Sequence, residues 1–485
     1  MKRAITILGA GPAGLALAMR LLHRSDLDAE IAVIEQKPVV GGLASSFEYE
    51  GLYLDYGSHR LHPATAPEIM ADLRRLLGPD LLKRRRNGRI RLLGRYVKFP
   101  LDPVDLFLHL PPSFIAGVAR DSIVKLFNRH VNSFSSFADA LLAGLGPTIC
   151  RNFYFPYARK LWGLDPEKIA VEQAQRRVSA NSLSKLARKA LALVPGLKPP
   201  GAGIFYYPRR GYGQISNALA ERVKHRGGAI FLSTRVQEIR LKDGRPTNLL
   251  LTPAVERQEG SGTSDSSPSE IRTDFVLSTI PITTLAGLLR PEAPGEIRKA
   301  YGQLRYRGMI LFYIILNTDR FTPYDAHYFP EEEVIFSRIS EPKNYSESTE
   351  PRGLTGLCVE VPCDVGDRVW ASQEEQISDR VLEDMRRVGL PVDSRIKSTF
   401  MRRLSSVYPI YDKNFSSSMS ALEDYISRVP GLVSLGRQGL FAHDNTHHTM
   451  EMAYRADACL NPALIWNAQK WKRYREEFKS HVVED

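Results

Sequence analysis

Cysteine is scarce: there are four in 485 residues, Cys150, Cys358, Cys363 and Cys459, with no CxxC spacing among them. That argues against a disulfide frame or a thiolate zinc site, and for free buried thiols in a reducing compartment. No run of about 18 uninterrupted apolar residues occurs, so no spanning helix is expected. The opening, MKRAITILGAGPAG, sets two basic residues before a strand pattern rather than before the apolar core of a secretion signal. Aromatic residues are not interleaved with basic ones in an RNA-binding pattern, so no nucleic-acid partner is expected. No internal repeat is evident. What remains is a globular chain, expected in the cytoplasm and long enough for two or more lobes.

Positive charge is in surplus, at +12. Part of it is clustered in LLKRRRNGRIRLLGRYVK, which reads either as a surface attracted to phosphates or as a solvated basic hairpin. Strand and helix patterns alternate at the start, as in a parallel sheet with helical crossovers. From Leu101 to about Pro200 the pattern turns helical, with apolar residues at i, i+3 and i+4 in VDLFLHL and ARDSIVKLFNRHV. The stretch GAIFLSTRVQEIRLKDGRPTNLLLT reads as strand, strand, Asp-Gly turn, strand. Glu259 to Glu270 is small, polar and turn-rich, a loop without catalytic content. DFVLSTIP is another buried strand. RGMILFYIIL, EEEVIFSRIS, TGLCVEVPC and SRIKSTFMRRL suggest an antiparallel sheet.

In LGAGPAGLA the glycines are Gly9, Gly11 and Gly14, in G-x-G-x-x-G register. The first permits a tight strand-to-helix turn, the second lets backbone approach a pyrophosphate, and the third lets helix and strand pack closely. The helix start offers free N–H groups and a positive dipole end to phosphates. Glu35 ends the next strand, IAVIE, where a carboxylate can accept both hydroxyls of an adenosine ribose and repels a 2′-phosphate. NAD and FAD share this fingerprint. Gly41 and Gly42 favour FAD, because they can return a second backbone segment over a longer dinucleotide. GLYLDYGSHRLHP then places Asp55, Gly57, His59 and His62 in a strand-to-loop transition.

Glu35, the paired glycines and D-x-G-x-H together resemble the flavoprotein superfamily of protoporphyrinogen oxidases, amine oxidases and phytoene desaturases. That superfamily often has arginine after the glycine pair. Leu43 here points to the branch that includes UDP-galactopyranose mutase. YGSHRLHP is similar to that branch's histidine loop, with His59 and His62 as counterparts bordering the flavin. FYFPYARKLWGLDPEKI resembles its Y-x-x-K-x-W segment, with Trp162 where a nucleotide base stacks. The competing reading makes Trp162 a helical core residue. QAQRRVS offers Arg176 or Arg177 for phosphate, and LRYRGMILFYIIL offers Arg307 for the diphosphate. FSRISEPKNYS brings Arg338, Glu341, Lys343 and Tyr345, and SSVYPIYDKN brings Tyr408, Pro409 and Asp412. GRQGLFAHDNTHHTMEMA resembles the terminal flavin element, implying Gly436 and Arg437 by the pyrophosphate and ribitol, and a helix from Thr446 aimed at the flavin.

Where the mutase carries a tyrosine and two acids, this chain has His443, Asn445 and His447, so the substrate need not be UDP-galactose. No metal site is assigned to His443, His447 and His448, because two are adjacent and no supporting carboxylate motif is visible. His59, His62 and His447 are the catalytic candidates, one as a proton donor near the flavin.

The resemblance implies an α/β fold: a glutathione-reductase-like FAD-binding (Rossmann) domain with an inserted helical lobe and an antiparallel β-sheet substrate domain. FAD-binding segments are expected at 1–98, 203–285 and 403–485, a helical lobe at 99–202 and the sheet domain at 286–402. It also implies an FAD-dependent oxidoreductase acting on a small molecule. A nucleotide sugar is favoured, with flavin N5 chemistry at the anomeric carbon. The alternative is a net oxidase or desaturase of a lipophilic amine, porphyrinogen or polyene. That would suit membrane docking by the helices after Leu101, although an internal helix pair is favoured and membrane contact is not expected. Oligomeric state is left open.

Overall fold

The computed structural model describes residues 2–127, 134–177, 203–254 and 268–483. The turn-rich loop from Glu259 lies mostly outside them, as does the side chain of Arg177. The chain is mixed α/β, with a parallel sheet beside antiparallel ones, as expected.

The parallel sheet has five strands in the order Leu432–Ser434, Phe275–Ser278, Arg3–Leu8, Ala29–Ile34, Ala229–Phe231. Its central strand is in register with both neighbours, Ile5 opposite Phe275 and Ile31. After Leu8 the chain turns at Gly9, whose φ of +97° is open to glycine, and enters the Pro12–His23 helix with Pro12 in its first turn. That helix is buried from Ala13 to Met19 and at Leu21, packing on the sheet and against helices Gln214–His225 and Thr446–Asp457. A four-stranded sheet flanks this layer. Its Thr234–Lys242 and Arg245–Pro253 hairpin turns at Asp243 and Gly244, both at positive φ as an Asp-Gly turn requires.

The seven-stranded sheet runs Ile396–Pro409, Tyr306–Leu316, Thr355–Cys363, Arg338–Ser340, Ala326–Tyr328, Gly88–Leu92, Arg95–Phe99. Tyr306–Leu316 is buried at every position but its first, consistent with its nearly continuous apolar sequence. The expected strand EEEVIFSRIS is shorter than its pattern suggests: only Arg338–Ser340 pairs. Three successive carboxylates cannot enter this buried sheet. Glu331 instead leaves it to accept from Gly94 N and to pair with Arg91. The basic run forms the Gly88–Leu92/Arg95–Phe99 hairpin at the sheet's edge. The helical stretch supplies Pro103–His109, Pro112–Phe127, Phe137–Leu145, Phe155–Trp162 and Val171–Arg177. All four cysteines are free and buried. Among the described residues, no helix is long and apolar enough to cross a membrane.

Candidate active site

A cavity of about 730 Å³ lies where the parallel strands end, lined by Gly9, Glu35 and Thr279, which follow three of them. Such strand ends are where dinucleotides sit in this architecture, and the volume is in the range of cofactor pockets. Each glycine of the motif has its own environment. A Cβ on Gly9 would stand 2.5 Å from Thr279 Oγ1, and one on Gly14 would stand 2.0 Å from Gly9 O. A Cβ on Gly11 would meet only Gly41 O, at 4.0 Å. Gly11 thus presents bare backbone to the cavity, and Gly41 and Gly42, both at positive φ, do so from the facing segment. Glu35 is buried, accepting from Ala10 N at 2.9 Å and Lys37 N at 3.0 Å, which orients its carboxylate at the cavity wall. Leu43 lines the same wall. A bare-backbone cradle and an oriented carboxylate fit a dinucleotide such as FAD.

The other half of the cavity is built by two loops and one end of a strand. The first follows Asp55, whose carboxylate accepts from Ser46 Oγ, Tyr207 Oη and Tyr212 N at 2.5, 2.6 and 2.9 Å. Burial pushes that carboxyl up to about 6, against the pull of its donors. So anchored, the chain turns at Gly57 and delivers His59 and His62 to the cavity. His59 Nε2 lies 3.0 Å from Tyr56 O. A carbonyl only accepts, so the proton sits on Nε2 and Nδ1 is an acceptor. Burial lowers the His59 pKa to about 4, so the ring is neutral at pH 7. His62 Nδ1 accepts from Ala64 N, which leaves its proton on Nε2.

The second loop, His443 to Thr446, opens the Thr446–Asp457 helix. Asn445 caps that helix, and His448 Nδ1 accepts from Asn445 N in return. Asn445 and Thr446 line the cavity. Arg437 also lines it, but its guanidinium donates to the carbonyls of His443, Asp444 and Val407, each at 2.9 Å. It therefore pins this loop to the third element, Arg403 to Tyr408 in the Ile396–Pro409 strand. Gly436, expected beside it, is buried with Ala13 Cβ 3.1 Å from where its own Cβ would be, so it serves close packing. His443 is fully buried in an aromatic box, its ring 6.1 Å from Tyr408 and 4.9 Å from Tyr411.

His447 does not line the cavity. It stacks on His62 at 5.4 Å and lies tilted against His448 at 3.9 Å, and His448 stacks in turn on His481 at 4.2 Å. Burial first, then the neighbouring imidazoles, lowers the His447 pKa to about 2. Such a ring cannot act as a proton donor at neutral pH. Burial also lowers His448 to about 4, with Asp444 opposing. Asp444 itself is buried, yet its hydrogen bond from His481 and the charge of Arg176 hold its pKa below the usual carboxylate range.

Four expected substrate contacts lie outside the cavity. Trp162 packs in a core cluster, edge-on to Phe137 at 5.4 Å, which is the core reading of that residue. Arg307 is buried, paired with Asp364 at 2.7 Å and donating to Lys160 O. Lys343 Nζ donates to the carbonyls of Pro351 and Leu354. Tyr345 lies behind the wall, its hydroxyl bonded to Ser58 Oγ and Arg60. Tyr408, His443 and Asn445 do line the cavity.

Sequence reasoning passed over other lining residues, Arg86, Tyr157, Ser405 and Glu360, and so missed the ion pair that Glu360 makes with the expected Arg338. Arg338 Nε and Nη2 donate to Glu360 Oε1 and Oε2 at 2.9 and 2.8 Å, and Glu360 Oε1 also accepts from Ser58 N. The signal available was Arg338 in FSRISEPKNYS. Nothing in TGLCVEVPC marks Glu360 as its partner.

The fold and cradle define a dinucleotide-binding flavoprotein class. Residues 12–456 match the family described as flavin containing amine oxidoreductase, and the chain belongs to that family. It is an FAD-dependent oxidoreductase. No curated relative matches it by sequence. Among solved structures it is similar to reduced UDP-galactopyranose mutase, at 19% identity and TM-score 0.76 over 94% of this chain and 93% of that one. It is similar to a putative protoporphyrinogen oxidase from Exiguobacterium sp. 255-15, at 17% identity and TM-score 0.69 over 94% and 98%. Cyclohexylamine oxidase from Brevibacterium oxydans IH-35A shares 15% identity at TM-score 0.65 over 94% and 98%.

Proposed function

We propose that this oxidoreductase acts on a polar, anionic small molecule, with nucleotide sugars the first class to test and ring chemistry in the manner of UDP-galactopyranose mutase. The observation that carries the reading is the basic and aromatic part of the cavity lining, Arg86, Tyr157, Tyr408 and the donor His62, with Arg338 held among them by Glu360. Guanidinium groups suit phosphate or carboxylate oxygens, and the aromatic rings suit a sugar or base face. Bound FAD supplies a two-electron centre. Glu35 and the Gly11 and Gly41–Gly42 backbones hold its nucleotide half. His62 presents an Nε2 proton, neutral His59 offers an Nδ1 acceptor, and Arg437 fixes the loop that carries Asn445.

The withdrawal of Trp162 and Arg307 into the protein removes two contacts on which a UDP preference would rest. The substrate class is therefore argued from the wall alone. A second reading has its own observation: Met309, Leu311, Leu404 and Val407 form an apolar strip on the same wall, suited to a lipophilic amine or polyene.

One experiment separates the two. UDP-sugars and UDP are titrated into the FAD-loaded enzyme while its visible spectrum is followed, and the dithionite-reduced enzyme is assayed for ring-size isomers by chromatography. A spectral shift with isomer formation is expected. Silence across the panel, with oxygen consumption on amines, would reverse the order of the readings. Arg86→Ala should weaken binding of the active ligand at least tenfold with FAD content unchanged. Equal affinity in that variant would remove the anionic-substrate argument.

A further inference from the structure

The helix Pro103–His109 is built the wrong way round for a helix that meets only water. Its residues Val104, Phe107 and Leu108 fall at i, i+3 and i+4, one face of the helix, and they are 49%, 68% and 70% exposed. The opposite face is covered. Asp105 is buried and accepts from Lys98 N at 2.7 Å, while Leu106 packs on the cluster of Ile90, Leu92 and Val97. The next helix, Pro112–Phe127, follows after Leu110 and Pro111 and sets Phe114 and Ile115 on that same cluster. Its outer face carries Ile123 and Val124, 56% and 48% exposed. Both helices thus turn their inner faces to one core and show apolar residues on the far side.

The rim of this patch is cationic. The first helix packs on the Arg95–Phe99 strand of the basic hairpin. Within that hairpin, Arg89 and Arg91 turn inward, to Tyr324 Oη and Glu331, as Arg84 in the preceding strand does to Tyr345 O. Arg95 and Lys98 are exposed, as are Arg120 and Lys125 on the second helix. Asp102 is spent capping the first helix through Val104 N and Asp105 N. Asp121 accepts from Thr148 N and pairs with Arg120.

We infer that this face docks on an anionic lipid surface, Phe107 and Leu108 entering the boundary between headgroups and acyl chains while Arg95, Lys98 and Lys125 meet the headgroup phosphates. The physical argument is the pairing of two signals. Contiguous exposed apolar side chains mark an interaction surface, and an apolar stripe bordered by Lys and Arg is the pattern of an interfacial helix. Each cation near an anionic leaflet adds attraction that salt screens within about a Debye length. A protein partner or second copy would not need the cations around the rim, Arg95, Lys98 and Lys125. The inference departs from the expectation from sequence of an internal helix pair without membrane contact, because the pair is covered on one side only. It does not depend on the substrate.

The test is co-sedimentation of the FAD-loaded full chain with 100 nm vesicles of phosphatidylcholine and phosphatidylglycerol at 7:3, and of phosphatidylcholine alone, at about 20 and 300 mM NaCl. Binding to the anionic vesicles at low salt is expected, weaker by tenfold or more at high salt or on neutral vesicles. Phe107→Asp with Leu108→Asp should lower partitioning at least tenfold. Arg95→Glu with Lys98→Glu should lower it several-fold and flatten the salt dependence. All four residues are exposed, and unchanged flavin absorbance per protein confirms the fold. No sedimentation with anionic vesicles, or partitioning indifferent to both double variants, would overturn the inference. So would a dimer in sedimentation velocity that the Phe107 and Leu108 substitutions dissolve.

Discussion

Two glycines three positions apart, Gly11 and Gly14, answer to different forces. A side chain on Gly14 runs into the backbone of Gly9, whereas one on Gly11 projects into the cavity. Gly14→Ala should therefore cost stability, about 1–3 kcal/mol, and lower Tm whether or not FAD is present. Gly11 has φ −75° and ψ 177°, open to any residue. Gly11→Val should leave the apo-protein within about 0.5 kcal/mol of the parent while weakening FAD at least tenfold. Differential scanning fluorimetry and FAD titration check both, and equal losses in the two variants would contradict the division. The glycine register was legible because its geometry is local: turn, approach and packing all lie within one strand and one helix. Trp162 and Arg307 were chemically suitable for a ligand, but suitability does not report burial. Both sit where distant elements close over them, Phe137 for one and Asp364 for the other. Arg307→Ala should accordingly lower stability by about 1–3 kcal/mol and leave ligand affinity of the folded enzyme unchanged.

At the scale of elements, the loop bearing His59 and His62 depends on a carboxylate that touches neither. Asp55 ties the end of Leu52–Asp55 to Ser46, Tyr207 and Tyr212, and Tyr313 Oη donates to Asp55 O from the larger sheet. Removing its side chain leaves buried donors without acceptors, each costing about 1–3 kcal/mol. Asp55→Ala should destabilise by at least about 2 kcal/mol and loosen the loop, read as faster deuterium uptake across residues 56–62. Protection equal to the parent would show the loop to be held by other means. Strands of alternating or continuous β-branched residues were readable from pattern, as was the Asp243–Gly244 turn. EEEVIF was not, because Glu331 is placed by a partner hairpin more than 230 residues earlier and Glu332 by Arg159. The Arg338–Glu360 pair escaped for the same reason: two strands must align before the ion pair exists.

For the whole molecule, the parallel sheet gathers strands from Arg3 to Ser434, and folding around it and the seven-stranded sheet buries histidines far from one another in sequence. Burial lowers His59, His327 and His448 to about 4 and His447 to about 2, against 6.5 for a free imidazole. A group held neutral on folding contributes stability that is complete above the unfolded value. That stability drains away as pH falls below it, at about 1.4 kcal/mol per pH unit for each histidine until the folded value is reached. Asp55, raised to about 6 by burial, runs the other way: it gains stability as pH falls through 6. Glu341, raised by burial as well, acts in the same sense as Asp55. Four histidines against Asp55, with Glu341 acting in the same direction as Asp55, leave a net uptake of protons on unfolding near pH 5. The urea midpoint should then fall steadily from pH 7.5 to pH 5, with the slope of the unfolding transition unchanged. A His447→Phe variant, which keeps the ring and removes the proton site, should flatten that fall. A midpoint that stays level or rises over this interval would mean that the stacked imidazoles are open to solvent, and the enclosed arrangement around Asp444 would have to be abandoned.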